Sequence, residues 1–401
     1  MSLYDVWSRR SRIFLSESKL SIDYVPKRLP HREDHLLKLA AMFRPMIREP
    51  GAMSQKVILL GPVGTGKTVV AKFFGSHVEA YSRRESLGIR YVHVNCHKDR
   101  TLFLIMKRVS EQLKLRIPRR GFSSRELMNI VWSTLENRNE YLLLTIDEAD
   151  YLMSTSGSDA IYDLTRMSDE YMSSELRFNF IFVLRDASRL VLLEECVRSS
   201  LLHNIIRFNP YTSKEIYDIL AARVYEEEAM NPEAVGDDVL TLIGDLVGFD
   251  KGGRGDARQA LEILWRAGKY AEAEGAPRVM PEHVRRAYSD IYPQFPKEVL
   301  NNLKRHELLV LLAIVRTLRS TGAAEVGLGE VEREYRAVCD EFGERPRGHT
   351  KVWEYVQVLK SMGVITARIS GPGRRGKTTL VSIPSVPLDA LERELLTKIG
   401  S

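Results

Sequence analysis

The chain has 401 residues, of which 44% are hydrophobic and 28% charged, with a net charge of +6. These values are ordinary for globular protein, and the length accommodates about two to four domains. No apolar run reaches the ~18 residues of a membrane span, and the N-terminus carries no apolar leader. The three cysteines, Cys96, Cys196 and Cys339, are far apart and odd in number, with no paired spacing for a zinc site or a disulfide framework. A reducing cytoplasm and a polyanionic partner fit this balance. Residues 1–25 are polar and basic, with Arg9, Arg10, Arg12 and Lys19, and PKRLPHRE at 26–33 reads as an extended lead-in. Apolar spacing from Leu36 to Ile47 predicts a helix over 34–47, and the run VILLG after it has the form of a strand covered on both faces. Next come a helix over 69–81, the strand YVHVNC, and helices over 101–115 and 125–137 split by the basic break RIPRRGFSS. The strand YLLLTID, a helix over 160–171 and the strand RFNFIFVL come after these. Strands alternating with helices predict an α/β fold built on a parallel sheet with right-handed crossovers. After Pro210 the strands stop, and 213–288 reads as helical with three breaks. Beyond the joint IYPQFPKE, helices over 307–319, 329–342 and 350–362 precede two short strands, VITARIS and TTLVSIP. Boundaries are expected near Pro210 and near 293–296.

GPVGTGKT at 61–68 matches the phosphate-loop pattern G-x-x-x-x-G-K-[ST], with a strand before it and a helix after. Backbone N–H groups of Val63, Gly64, Thr65 and Gly66 would face phosphate oxygens, and the helix would present its positive end. Lys67 would reach the β- and γ-phosphates of ATP, and the Thr68 hydroxyl would ligate Mg²⁺. The same pattern recurs in GPGRRGKT at 371–378, but the strand-like TTLVSIP beyond it gives no helix end, so it reads as a basic hairpin tip. About eighty residues after the first loop, the apolar run from Tyr141 ends in Asp147-Glu148-Ala149-Asp150. Asp147 would hold the metal, and Glu148 would act as general base on the attacking water.

The order GPVGTGKT, LLLTIDEAD and Gly255-Asp256-Ala257-Arg258 in a helical lid is similar to that of AAA+ ATPases. Together with PKRLPHRE, NPYT at 209–212 and the C-terminal module, it resembles archaeal origin-recognition-type replication initiators over nearly the whole chain. The resemblance implies an AAA+ core over 26–210, an all-helical lid over 211–293 and a winged helix over 294–401, after a basic segment over 1–25. It also implies that Pro30, His31 and Arg32 lie by the adenine and ribose, that Tyr211 and Arg223 complete the pocket, and that Arg258 senses the γ-phosphate. For Tyr211 the alternative is an aromatic at a helix cap, and for Arg258 a solvated helix-start arginine. Two positions depart from the family pattern. Arg185 stands where an Asn would orient the attacking water, and Cys196 stands where an arginine would act on a neighbour's nucleotide, with Arg198 two residues on. Slow hydrolysis is therefore expected, with ATP or ADP acting more as a conformational latch than as fuel.

In the C-terminal module, Val352, Tyr355, Val356, Leu359 and Met362 are expected to face a core, leaving Thr350, Lys351, Glu354, Gln357 and Lys360 outward. From Arg345 to Thr378 there are eight basic residues and one acid, whereas 325–344 has seven acids and two arginines. Thr350, Lys351 and Gln357 would meet base edges, and Arg345 and Arg347 phosphates. Arg374 and Arg375, beside Lys377, would enter a minor groove. The alternative is a protein-binding winged helix with a solvated basic face. In the family, a loop corresponding to 116–122 touches the duplex; Arg119 and Arg120 would do so here, or the loop is solvated with Phe122 packed inward. The leading expectation is an ATP-gated protein that recognises double-stranded origin DNA and helps recruit or load the replicative helicase, with other initiator subunits as partners. It would be cytoplasmic and nucleoid-associated, without membrane contact. A nucleotide-gated transcription regulator, a clamp-loader or transposition-helper ATPase, and a chaperone-like AAA+ protein are the rivals.

Overall fold

The computed structural model describes residues 11–115, 121–157, 159–170, 175–188, 190, 204–291, 300–369 and 378–400. The chain divides into two compact units, Val25–Pro210 and Met1–Tyr24 with Tyr211–Ser401. Among the described residues, no helix is long and apolar enough to cross a membrane.

In the unit Val25–Pro210, helices α1 (Glu33–Met42) and α2 (Arg44–Arg48) replace the single helix expected over 34–47. Pro45 explains the break, because it brings no N–H for a continuing helical bond. The sheet has five parallel strands: β1 (Lys56–Leu60), β2 (Ile89–Asn95), β3 (Tyr141–Asp147), β4 (Phe178–Leu184) and β5 (Ile205–Arg207), in the order β2-β3-β4-β1-β5. Strand β5 has three residues, too few to register as a pattern in sequence. Helix α3 (Lys67–Glu85) joins β1 to β2 and begins two residues before the expected 69–81. Helices α4 (Leu102–Gln112) and α5 (Ser124–Asn137) precede β3. Two helices, α6 (Ala149–Ser156) and α7 (Asp159–Glu170), occupy the stretch where only one was expected, over 160–171.

Both faces of the sheet are covered, which is why its strands read as unbroken apolar runs. Val57, Leu59, Leu143, Ile181 and Val183 pack with Val70, Ala71 and Phe74 of α3 on one side. Ile58, Leu60, Leu144 and Phe180 pack with Ile105, Val131 and Leu152 on the other. On that second face Trp132, Phe178, Phe180 and Phe182 form a stacked row with ring centroids 5.6, 6.0 and 5.6 Å apart.

In the other unit, helices α8 (Ser213–Ala221), α9 (Asp237–Val247), α10 (Ala257–Glu274) and α11 (Pro281–Ile291) enclose a core that includes Ile216, Val239, Ile243, Ile263 and Leu264. Ile13, Phe14 and Leu20 are buried in the same core, although their surroundings in sequence are polar and basic. The N–H groups of Leu15 and Ser16 donate to Ala229 O at 3.1 and 3.0 Å, and Trp265 donates to Glu17 at 3.0 Å. Residues 11–24 are thus a strap across the helices.

The C-terminal part begins with α12 (Arg305–Thr321), whose residues Leu308 to Val315 are all buried. Then come β6 (Val326–Gly327), α13 (Leu328–Glu341), α14 (His349–Ser361), β7 (Thr366–Ile369) and β8 (Thr379–Ser382), with the antiparallel order β6-β8-β7. Three helices against a small antiparallel sheet form the expected winged helix. The chain does not end on strands, however: α15 (Leu388–Ile399) closes it, burying Leu388, Leu391, Leu395 and Ile399. Their spacing of three, four and four is a helical signature present in the sequence.

Arg285 of α11 is 1% exposed and donates to Ile383 O at 2.6 Å, to Ala324 O at 3.3 Å and to Ala323 O at 3.5 Å, with Glu282 at 3.4 Å. One guanidinium thereby fastens α11 to the segments flanking β6 and β8. Arg285→Ala should cost about 3–5 kcal/mol in a denaturant titration, because buried acceptors and Glu282 lose their partner. Arg285→Lys should recover less than half of that, since a single ammonium cannot reach three carbonyls. A midpoint unchanged in Arg285→Ala would refute the fastening role.

Candidate functional site

The parallel register brings three loops to one edge of the sheet. Leu60 pairs with Leu184, Ile146 pairs with Phe182, and Gly61 N donates to Leu184 O at 3.3 Å. The loop 61–68, residue Arg185 and the Asp147-Glu148 pair therefore emerge together at the carboxyl ends of β1, β4 and β3, where ligands bind in open α/β sheets.

Two glycines shape the loop: Gly64 (φ 77°) and Gly66 (φ 90°) hold left-handed conformations that a side chain would strain. Helix α3 starts at once with Lys67, so its unpaired N–H groups lie at the loop. Lys67 Nζ donates to the carbonyls of Gly61 and Pro62, both at 2.5 Å, and the Thr65 hydroxyl donates to Pro62 O at 2.9 Å. Gly64 is buried, whereas Val63 is 44% exposed.

Of the lead-in residues, Pro30 is buried and His31 is exposed in a left-handed conformation (φ 61°). Arg32 is 4% exposed, and its guanidinium donates to Thr65 O at 3.0 Å, His31 O at 2.9 Å and Asn209 O at 3.1 Å. It also lies over the Phe208 ring at 5.4 Å. These bonds clamp the lead-in to the phosphate-type loop.

Asp147 is 1% exposed. Burial alone would raise its carboxyl. Hydrogen bonds from His93 (3.2 Å), the Thr68 hydroxyl and Glu148 N–H (2.9 Å) outweigh burial and hold it below the ordinary carboxylate range. Thr68 and Asp147 are hard oxygen donors in mutual contact, a pairing that suits Mg²⁺ with its remaining positions left to water or phosphate. His93, on β2, is a partner of Asp147 that the sequence reading missed; the period-two alternation of β2 beside β3 is its only signal there. Glu148 has φ 53° and caps α6. Its Oε1 accepts from Arg185 at 2.7 Å. Arg185 N–H donates to Asp150 Oδ2 at 2.9 Å, and its guanidinium lies 5.2 Å over the Tyr151 ring. Cys196 and Arg198 lie outside the described residues.

Three expected nucleotide contacts belong to the other unit. Tyr211 is 3% exposed in its helical core, beside a capping box of Thr212 and Glu215 that starts α8. Arg223 is 7% exposed, lies 4.9 Å over Tyr24 and donates to Lys19 O at 3.1 Å. Arg258 is exposed in the first turn of α10, whose N-cap is Asp256.

The second candidate region is α14. Val352, Val356 and Leu359 are buried as expected, but Met362 is 39% exposed, because the helix ends at Ser361 and releases it from the apolar stripe. Thr350 and Lys351 are exposed, and Lys351 pairs with Glu354 at 2.5 Å. Gln357 is half-buried and Lys360 is exposed. Trp353, which the sequence reading passed over, is 45% exposed. Its spacing of three and four from Thr350 and Gln357 places it with them and Lys360 on one flank of the helix, with Glu354 at the edge of that flank paired to Lys351. Arg345 is exposed. Arg347 is exposed and donates from Nε to His306 at 3.2 Å. Arg119, Arg120, Arg374, Arg375 and Lys377 lie outside the described residues. Phe122 packs against the core of its unit, which is the inward alternative.

Comparisons with known proteins agree with this geometry. A family described as "AAA domain" matches residues 54–189, "Cdc6 AAA+ ATPase-type lid domain" matches 217–289, and "CDC6, C terminal winged helix domain" matches 298–393. The chain is 42% identical to an ORC1-type DNA replication protein 2 of Sulfurisphaera tokodaii over 94% of this chain and 91% of that protein. Among solved structures it is similar to Cdc6p from Pyrobaculum aerophilum, at 33% identity and a TM-score of 0.84 over 97% of this chain and 99% of that one. It is also similar to the Aeropyrum pernix ORC1 protein in complex with DNA, at 30% identity and a TM-score of 0.62 over 97% and 98%. The Aeropyrum pernix ORC2 protein in its ADPNP-ADP complexes gives 26% and 0.65 over 97% and 98%.

If Arg32 is the clamp of the loop, Arg32→Met should speed amide hydrogen exchange over 63–67 by about tenfold, the effect of losing one or two net hydrogen bonds. Exchange at wild-type rates would show that the loop holds itself.

Proposed function

The chain belongs to the Cdc6/ORC1-type family of replication initiators, and from that premise we propose that it is an ATP-gated initiator that recognises duplex DNA at replication origins. Residues 26–210 form the nucleotide-binding core, 211–293 the lid and 294–401 the DNA-binding winged helix, after the basic segment 1–25. Lys67 and the loop amides of 63–66 hold the phosphates of ATP or ADP. Thr68 and Asp147 hold Mg²⁺, which supplies charge neutralisation at the phosphates when bound. Glu148 orients and deprotonates the attacking water. Pro30 and His31 serve the nucleotide's base and sugar, with Arg32 fastening the loop.

The observation that carries this reading is a phosphate loop and a buried carboxylate in register at one sheet edge, in a chain whose α14 also exposes Thr350, Trp353 and Lys360. The solved complex of a relative with DNA supports the same reading. Thr350, Trp353 and Gln357 meet base edges, with Trp353 offering apolar contact to a thymine methyl. Lys360, Arg345, Arg347 and the hairpin residues Arg374, Arg375 and Lys377 meet phosphate or the minor groove. Hydrolysis is slow, and nucleotide state gates recruitment of other initiator subunits and the replicative helicase at the nucleoid.

A genomic-DNA pull-down with ATP tests the assignment. One or a few discrete loci with repeated sites should be enriched, and Lys67→Ala should lose ATP binding and change that enrichment. Enrichment of many promoters instead would make the protein a transcription regulator. Salt titrations separate the two kinds of contact on the DNA face. Trp353→Ala should weaken specific binding by roughly 5- to 100-fold without altering the slope of log K against log salt. Arg374→Ala with Arg375→Ala should reduce that slope by up to ~2. A changed slope in Trp353→Ala would place Trp353 elsewhere than on a base.

A further inference from the structure

Arg185 enters the candidate site from β4 as a cation, where an uncharged amide was expected. Three restraints fix it. Its backbone N–H donates to Asp150 Oδ2 at 2.9 Å, its guanidinium lies 5.2 Å over the Tyr151 ring, and its NH2 donates to Glu148 Oε1 at 2.7 Å. Asp150 and Tyr151 both belong to α6, the helix that Glu148 caps. The arginine is therefore anchored by the same short helix that holds the carboxylate it grips.

From this geometry we propose that Arg185 is a brake on ATP hydrolysis, holding the Glu148 carboxylate toward the end of β4 and away from the work of aligning water. The proposal rests on the reading of Glu148 as the base. In the reaction, water oxygen bonds to the γ-phosphorus, the bond from that phosphorus to the β,γ-bridging oxygen breaks with its electron pair leaving on ADP, and the water proton passes to Glu148. A carboxylate engaged through Oε1 by an anchored guanidinium is not disposed to take that proton until the pair opens.

The pair is built to open. Its side chains are 41% and 22% exposed, and ion pairs of that exposure are weak and screened by salt. The brake is thus a modest one, and rotation of a single side chain releases it. A partner that presents a carboxylate or a phosphate to Arg185 would draw it off Glu148 and turn hydrolysis on. This assigns the cation at β4 a role opposite to that of a transition-state arginine, which accelerates transfer.

Single-turnover hydrolysis of γ-labelled ATP by the full-length protein tests the brake, with ATP affinity and thermal melting measured alongside. Arg185→Asn should hydrolyse roughly 3- to 10-fold faster than the parent at unchanged affinity, a gain that structural damage cannot produce. Arg185→Gln should reproduce it. The gain should disappear when Glu148→Gln is added. If Arg185→Asn and Arg185→Gln bind ATP normally but hydrolyse no faster, while Glu148→Gln abolishes turnover, the brake is overturned and the base assignment stands. If Glu148→Gln alone turns over at the parent rate, the base assignment itself falls, and the brake with it. Absence of hydrolysis in every variant also overturns the proposal.

Discussion

The alignment of β1, β4 and β3 is the constraint on which the nucleotide region depends. All three strands run parallel, with Leu60 opposite Leu184 and Ile146 opposite Phe182, so their carboxyl ends lie within a residue or two of one another. Each strand end leads directly into a group with chemistry to offer: a glycine loop, an arginine, and two carboxylates. The register itself is held by packing on both faces. A one-residue slip of β4 would turn Phe178, Phe180 and Phe182 to the opposite side and break their stack with Trp132. The same slip would carry Arg185 about 3.3 Å along the strand and out of reach of Glu148. Hydrophobic order in the middle of the sheet thus fixes polar geometry at its end.

The other unit obeys a different logic, in which charged side chains do the fastening. The strap at 11–24 brings three apolar residues into the helical core, and the ion pair of Lys269 with Glu17 at 2.6 Å closes it from outside. Arg285 fastens the helices to the winged helix through backbone carbonyls, so the fastening depends on geometry and not on an opposing charge. On the winged helix, internal acids consume part of the positive surplus. Arg368 is bound by Glu325 at 2.6 and 2.7 Å, and Lys351 by Glu354. The flank of Thr350, Trp353, Gln357 and Lys360 remains as a surface that combines an exposed aromatic ring with polar and basic side chains.

Much of this was legible in the chain, and the omissions have physical causes. The buried strands β1, β3 and β4 announced themselves because a sheet covered on both faces tolerates no polar interruption. Spacing and context identified the loop at 61–68; its repeat at 371–378, almost all of it outside the described residues, leads into β8 and not into a helix. Strands β5 and β6 were invisible, because two or three residues carry no period and exist only through their neighbours. Helix α15 was legible and was missed, since Leu388, Leu391, Leu395 and Ile399 recur on one face. The strap illustrates the converse: Ile13 and Phe14 sit among arginines and serines, and only tertiary packing shows that they are buried. At the site, sequence placed Asp147 and Glu148 correctly at a strand end. It could not show that Arg185 would reach Glu148, because that contact joins residues 37 positions apart across two strands. Nor could it foresee that Arg32 would spend its donors on Thr65, His31 and Asn209.

The backbone of Glu148 adds one more consequence. A φ of 53° is uncomfortable for any residue with a Cβ, costing on the order of 1 kcal/mol that glycine would not incur. Replacement by glycine would relax the chain and remove the carboxylate in the same stroke. Stability and chemistry are opposed at this one residue, so drift toward a more robust fold would erode the acid unless use of the site preserved it. A glutamate in that conformation marks a place where the chain tolerates strain.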